Sequence, residues 1–568
     1  MPNTTTLSTA NHMATCVSKL IGNCCPVPAV HNNIFIHNPL NIEASRINLH
    51  LLNEFKGVFD ISYNMRKAKW ITENPQSFNE FNRIDLLTVH FYDASILEKH
   101  DERSMKGVRI VEVQERNLHS LDDYVQVLLS ISKIESISEY LKNNIIPVSA
   151  DWPGQLFIRK AITKIQQQEM QGILDNYNII KNFVPLIGPL HVSLNSREHI
   201  IKIHWEFFNK LFHYVFGPKK ILAKKTKPWR INLLLDLADK GWKKISHIVV
   251  NKFPRTCKDL EYRLMLDLLD NLIPSTLDIY ALLFRSGSFD EYLETLFRIW
   301  TFALRWNRKN YNKAPLAFIS DYYYWKDNHH PFSEVIKSYI VNFNDYYVEN
   351  VHSRIRANTT SLHSAETIIK QAYMLDLHDQ STINTFKKVH NYPYSEPILE
   401  YLTTKTSLFL LEYFHSIYNN INQENQVQKT KKNIYRLTTL GKNVELKCLP
   451  AGYHTSFPPD PKLCDKCKGT FEDDEGMILI CGHGYHINCY NILDKRCKYC
   501  EEYYKRGIFK NVDSFVERLE KGPNILMNED VEEGEGEGGE GGEDSNNVNS
   551  ETGLNVYLDR ELDLVKYW

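Results

Sequence analysis

The chain has no uninterrupted apolar run of eighteen residues, so no membrane-spanning helix is expected and no membrane partner is implied. Its opening stretch, MPNTTTLSTANHMATCVSKL, is polar and threonine-rich. It lacks the basic start and apolar core of a secretory signal. Cysteine is sparse outside one segment. Of eleven cysteines, Cys16, Cys24, Cys25, Cys257 and Cys448 are scattered without regular spacing, which argues for free thiols in a reducing compartment. These absences predict an intracellular protein, cytoplasmic or nuclear. Net charge is small as well, at −2, but residues 529–544 carry nine acids and no Lys or Arg. The rest of the chain holds 67 basic against 60 acidic residues, a mild and diffuse positive balance that does not favour nucleic acid as a partner.

What the chain does have is one stretch whose spacing dictates chemistry. It reads Cys464-x2-Cys467, thirteen residues, Cys481-x-His483-x2-His486-x2-Cys489, seven residues, then Cys497-x2-Cys500. Zinc takes four such ligands in a tetrahedron, and each CxxC pair offers two thiolates from one tight turn. Eight ligands make two closed sites, which points to two structural Zn2+ ions and not to a catalytic metal. A disulfide framework would leave both histidines unexplained.

The ligand order, with CGHGYHINC at 481–489, resembles the RING finger in its variety with two central histidines. RING fingers are cross-braced, so the resemblance implies Cys464, Cys467, His486 and Cys489 at one zinc. Cys481, His483, Cys497 and Cys500 would then hold the other. The family's usual activity is ubiquitin ligation without a catalytic residue of its own: the domain holds a ubiquitin-charged conjugating enzyme in a reactive pose. The implied partners are therefore a conjugating enzyme and a substrate protein. Active members usually place an Ile-like residue between the first two cysteines, a Trp after the sixth ligand, a Pro after the seventh and a basic residue after the eighth. This chain has Lys466, no Trp in 490–496, Lys498 and Glu501 at those places. The groove for an apolar loop of the enzyme would present lysines, which weakens the usual docking mode.

Elsewhere helical patterns dominate. Residues 199–216 are apolar almost all round, Ser288-x-x-Glu291 suggests a capping box, and further helices are expected over 259–272, 275–284, 334–350, 364–375 and 405–421. Strands are expected at 86–92, 145–148 and 184–190, the last ending at His191. Ser514-x-x-Glu517 suggests a helix start that could pack on the RING. The expected organisation is a disordered leader (1–42), a helix-rich body (43–418), a linker (419–454), the RING with its following helix (455–525), an acidic disordered tail (526–553) and a short apolar end (554–568). The fold class is thus mainly α and multidomain, with room for a small mixed α/β core, plus a small cross-braced two-zinc RING domain.

Four stretches of the body, HDERSMKGV (100–108), ADWPGQLFIRKAI (150–162), VPLIGPLHVSLNSRE (184–198) and RWNRKNYNKAPL (305–316), loosely resemble transposon-derived fungal chains with a ribonuclease-H-like core. That resemblance implies strand-end carboxylates holding divalent metals. Asp93 and Asp151 each follow an apolar run, while His191 stands where a second acid would be expected. An Asp after a strand is commonly a turn or cap residue, and His191 could equally be a core histidine. Basic residues cluster at 218–230 and 305–313, the second cluster interleaved with Trp306 and Tyr311. Nucleic-acid contact and plain solvation both account for them. The competing function is accordingly a nucleic-acid-binding relic of a mobile element, with the RING as an accessory.

Overall fold

The computed structural model describes residues 12–55, 57–60, 99–172, 178–359, 363–377, 379, 394, 396–423, 428–431, 433–471 and 476–527. The architecture is mainly helical and multidomain, with small sheets and a small mixed core. Strand β1 (Met13–Lys19) pairs antiparallel with β2 (Val108–Glu115), the register shifting between Cys16 and Val17. Strands β3 (Ile146–Ala150) and β4 (Phe183–Ile187) pair in parallel, Ile146 opposite Phe183 and Ala150 opposite Ile187. Helix α1 (Ala44–Glu54) follows β1, and α2 (Leu121–Ser132) follows β2.

The crossover between β3 and β4 is α3 (Trp152–Met170). Asp151 starts it, its carboxylate accepting the Gly154 N–H at 3.0 Å, and Pro153 fits the first turn, where no N–H is needed. Trp152 through Thr163 are all buried, so the first three turns of α3 run through the core without a solvent stripe.

Helices α4 (Pro189–Ile203) and α5 (Trp205–Phe216) break at His204, where one continuous apolar helix was expected. Next come α6 (Pro228–Val250), a helical stretch over 260–286 that widens to π turns at Asp267–Leu272 and Ser275–Ile279, and α7 (Phe289–Arg305). Ser288 precedes α7 but makes no cap bond to it, because its hydroxyl pairs with Ser286 instead. Helices α8 (Ala314–Asp327), α9 (Tyr346–Asn358) and α10 (Glu396–Asn422) complete the body.

Several expectations need correction. Residues 12–42, read as part of a disordered leader, contain β1 and bury Ala14, Val27 and Ile36, because β2 supplies the hydrogen-bonding edge that an isolated strand lacks. The linker reading of 419–454 fails likewise. Strands β5 (Gln428–Lys431), β6 (Ile434–Leu437) and β7 (Lys442–Glu445) form one sheet there, and Leu437, Leu440 and Leu449 are buried against the body. The strand expected to end at His191 stops at Ile187, since Gly188-Pro189 opens α4. The expected strand at 86–92, Asp93 and the chain beyond 527 lie outside the described residues.

The largest correction concerns the last helix. It does not begin at Ser514 but runs unbroken as α11 (Lys498–Glu520), and it packs on the body. Its buried stripe, Cys500, Tyr504, Gly507, Ile508, Asn511, Phe515 and Leu519, follows the helical repeat. Tyr504 meets Trp300 at 6.3 Å between ring centroids, and Phe515 meets Trp152 at 5.2 Å. Gly507 allows close approach: a Cβ there would lie 2.5 Å from Leu304. At the far end, the buried ammonium of Lys160 donates to the carbonyls of Arg518 (3.0 Å), Gly522 (2.5 Å) and Pro523 (3.2 Å). The Arg518 carbonyl is one that a helix end leaves without a partner inside the helix, the other two follow that end, and a cation there also favours the helix dipole.

Lys160→Met keeps the apolar stem but takes the ammonium from the Arg518 and Gly522 carbonyls, while Pro523 O keeps the Arg518 guanidinium. It should cost about 2–3 kcal/mol, read as a lower denaturant midpoint at unchanged slope. An unchanged midpoint would remove Lys160 as the anchor of α11.

Candidate metal centre

The eight Cys and His residues come together as two groups. Cys464, Cys467, His486 and Cys489 form one; Cys481, His483, Cys497 and Cys500 form the other, and within each group the ligand atoms lie within 4.8 Å of one another. Local backbone explains the placement. Lys468 takes a left-handed conformation that turns the chain after Cys467, with Lys468 N–H bonded to Cys464 O at 2.9 Å. Strands β8 (Gly476–Ile478) and β9 (Gly484–His486) form a hairpin whose tip carries Cys481 and His483. The tip needs Gly482, which sits at φ +94°. A short helix, Ile487–Ile492, presents Cys489, and Cys497 caps α11 with Cys500 one turn inside.

The geometry fits a tetrahedral thiolate–imidazole site. His483 Nδ1 stands 3.5, 3.3 and 3.7 Å from the sulfurs of Cys481, Cys497 and Cys500. Zinc–sulfur and zinc–nitrogen bonds at tetrahedral angles require an S···N edge of about 3.5–3.6 Å. In the other group, His486 Nδ1 lies 3.2 Å from Cys467 Sγ. Both imidazoles are oriented from behind, since Nε2 of His483 donates to Phe457 O at 2.8 Å and Nε2 of His486 to Thr470 O at 3.0 Å. That fixes Nδ1 as the metal-facing nitrogen, the outer-shell arrangement metal-bound histidines commonly show. One thiol is prepared as well. Burial pushes Cys464 up, yet the backbone N–H groups around it bring its pKa down to about 7. Both groups suit a metal ion and are consistent with two zinc sites.

The two sites differ in exposure. All four ligands of the Cys481 group are buried, whereas Cys467 is exposed and His486 and Cys489 are half-buried. Behind the first group stands a contact that the spacing gave no sign of. Asp465, between two ligands, accepts N–H groups from Gly484 (2.7 Å) and Asp460 (2.9 Å). It also pairs with Lys258 of the body at 2.8 Å, both side chains buried, while Lys258 donates to Leu463 O at 2.9 Å.

The other candidates fall elsewhere. Asp151 caps α3, and burial raises its pKa. His191, in the first turn of α4, bonds through Nδ1 to buried Asp345 at 2.6 Å. Asp345 also accepts the N–H groups of Leu190 (2.8 Å) and His191 (3.1 Å), so it ties α9 to the start of α4. Gly188 is required there, because a Cβ would meet Asp345 Oδ2 at 2.1 Å. Among the described residues, these groups do not gather as metal ligands. Of the basic clusters, Arg305 is buried against Asp267 at 2.7 Å, with Trp306 and Tyr311 also buried. Lys219, Lys220, Lys224 and Lys225 are exposed in the loop before α6.

The class defined by this geometry is a mainly helical protein with a small two-site Cys/His metal module. No family model, curated protein or solved structure matches the chain. Among the described residues, no helix is long and apolar enough to cross a membrane.

Two outcomes are expected. Chelation should release metal in two steps, the exposed Cys464 site first. Cys481→Ser should lower the thermal midpoint of the whole chain, not only of the module, because Cys500 begins a helix that the body packs around. Single-step release, or an unaltered body transition, would contradict this. Burial alone would lower the His191 pKa, but the hydrogen bond and charge of Asp345, with Asp151 and Glu349, raise it to about 10. A raised histidine pKa gives stability that is full below its ordinary value near 6.5 and is lost as pH climbs through about 10. The stability difference between the natural protein and His191→Gln should therefore shrink steadily across that window. A flat difference would show that the pair does not titrate with folding.

Proposed function

We propose that the module is a two-zinc RING-type domain and that the chain acts through protein–protein interaction, as a ubiquitin ligase whose helical body selects the substrate. The observation that carries this reading is the crossed ligand pairing, with ligands one, two, five and six in one group and three, four, seven and eight in the other. Thiolate-rich tetrahedral sets with no open position suit structural zinc, and the module's task is then to present a surface.

The surface available for a conjugating enzyme comprises Lys466, half-buried, Lys498, exposed, and Ile492, 69% exposed on the short helix between them. Ile492 supplies an apolar anchor where the usual Trp is missing. Glu501 does not project from this face as a free acid, being paired with Lys505 at 2.7 Å and Arg496 at 3.5 Å. The lysines at the edge favour an enzyme loop that carries acidic residues beside its apolar contact.

The test uses the zinc-loaded full chain, since α11 is shared with the body. Ubiquitin discharge from a panel of charged conjugating enzymes to free lysine should accelerate, and Ile492→Ala should remove most of the acceleration while zinc content and thermal midpoint stay unchanged. No acceleration with any enzyme would leave the module a structural staple and refute ligation. A second reading, polyanion binding, is favoured by the exposed lysines of the loop before α6. DNA retention that falls steeply with salt supports it.

A further inference from the structure

Helix α11 has two faces. One is buried in the body; the other, three turns long, forms a wall of a groove of about 460 Å³ against the segment that enters α1. Phe509 and Val516 supply accessible apolar surface from α11 and Leu40 from the opposite wall, over buried Val512 and Ile42 at the bottom. Phe509 is 47% exposed and Leu40 is 71% exposed. Large apolar side chains gathered at a surface groove mark interaction sites more often than chance exposure does.

The charges along the same groove name the partner. Asp513, Glu517 and Glu520 line it, with Lys521 the one cation of the lining. All three acids are exposed, and none forms an ion pair among the described residues. Phe509, Asp513, Val516 and Glu520 succeed one another at helical spacing, so apolar and acidic groups alternate along a line about 16 Å long. That is the length of about three turns of a second helix.

We propose that this groove docks an amphipathic helix of a partner protein, with an apolar stripe flanked by Lys or Arg. The stripe would cover Phe509, Val516 and Leu40 while the cations pair with Asp513, Glu517 and Glu520. Because the first turn of α11 carries metal-ligand candidate Cys500, the bound helix would stand at a fixed distance from the metal module. The inference refines the protein-interaction reading by assigning a partner class. Its readout is binding and is independent of ubiquitin discharge, so either can fail alone.

The test titrates the full chain with a labelled eighteen-residue Leu/Lys helical peptide and with its Leu/Glu counterpart. Saturable binding of the basic peptide alone is expected, weakened about tenfold by Glu517→Lys with Glu520→Lys, and weakened similarly by Val516→Asp. All three positions line the groove, so folding is checked by an unchanged thermal midpoint. Binding of both peptides alike, or binding untouched by these substitutions, would overturn the proposal. Two other occupants would also overturn it. A dimer by light scattering that Val516→Asp dissociates would mean a second copy fills the groove, and peptide binding that emerges only after deletion of 554–568 would mean the chain covers it itself.

Discussion

The buried ion pair between Lys258 and Asp465 is the contact on which the relation of module to body depends. Asp465 lies between two metal ligands, and Lys258 belongs to the loop before the π-widened helical stretch, so the pair joins the first metal group to the body with both charges out of water. Removing one partner of such a pair strands a buried charge and typically costs about 3–5 kcal/mol, whereas replacing both by apolar groups can cost little. The pair therefore acts chiefly as a device of registry: it fixes where the module sits. The remaining acceptor capacity of Asp465 goes to the N–H groups of Gly484 and Asp460, which leaves that carboxylate well satisfied.

Helix α11 extends the same coupling over a longer distance. It begins at Cys497 and Cys500, crosses Trp300, Leu304 and Trp152, and ends on the ammonium of Lys160. One buried apolar cluster consequently includes Val27, Trp300 and Tyr322 of the body together with Cys464, Tyr485 and Leu519. A free zinc module of this size has little core and depends on its metal for folding. Here the module also leans on the body, and the body leans on a helix that a metal ligand starts. Module and body thus share one buried cluster, and α11 presents its other face to solvent.

The divided fate of the polar candidates has one physical basis. The buried candidates Asp151 and His191 are held by a backbone N–H or by another side chain, Asp151 on Gly154 and His191 on Asp345, which also accepts from Leu190. Where charges remain exposed, as along the lysine loop and the outer face of α11, they are available to partners. The surface that could do something new is thus not the buried acid–histidine cluster but the groove whose acids face water.

Spacing alone identified the eight metal-binding candidates, because ligand residues at tight-turn intervals have few other uses, and it identified the helical character of the body from its apolar period. It also separated the scattered cysteines from the ligand set. Tertiary structure alone decided the rest. Residues 12–19 read as a polar leader until β2 supplies a hydrogen-bonding edge, and 428–445 read as linker because three short strands show little pattern individually. The start of α11 at Lys498 was hidden by the zinc motif overlapping its first turn. Lys258, Lys160 and Asp345 carry no local signal, since a buried charge is intelligible only through the partner that folding brings from far along the chain.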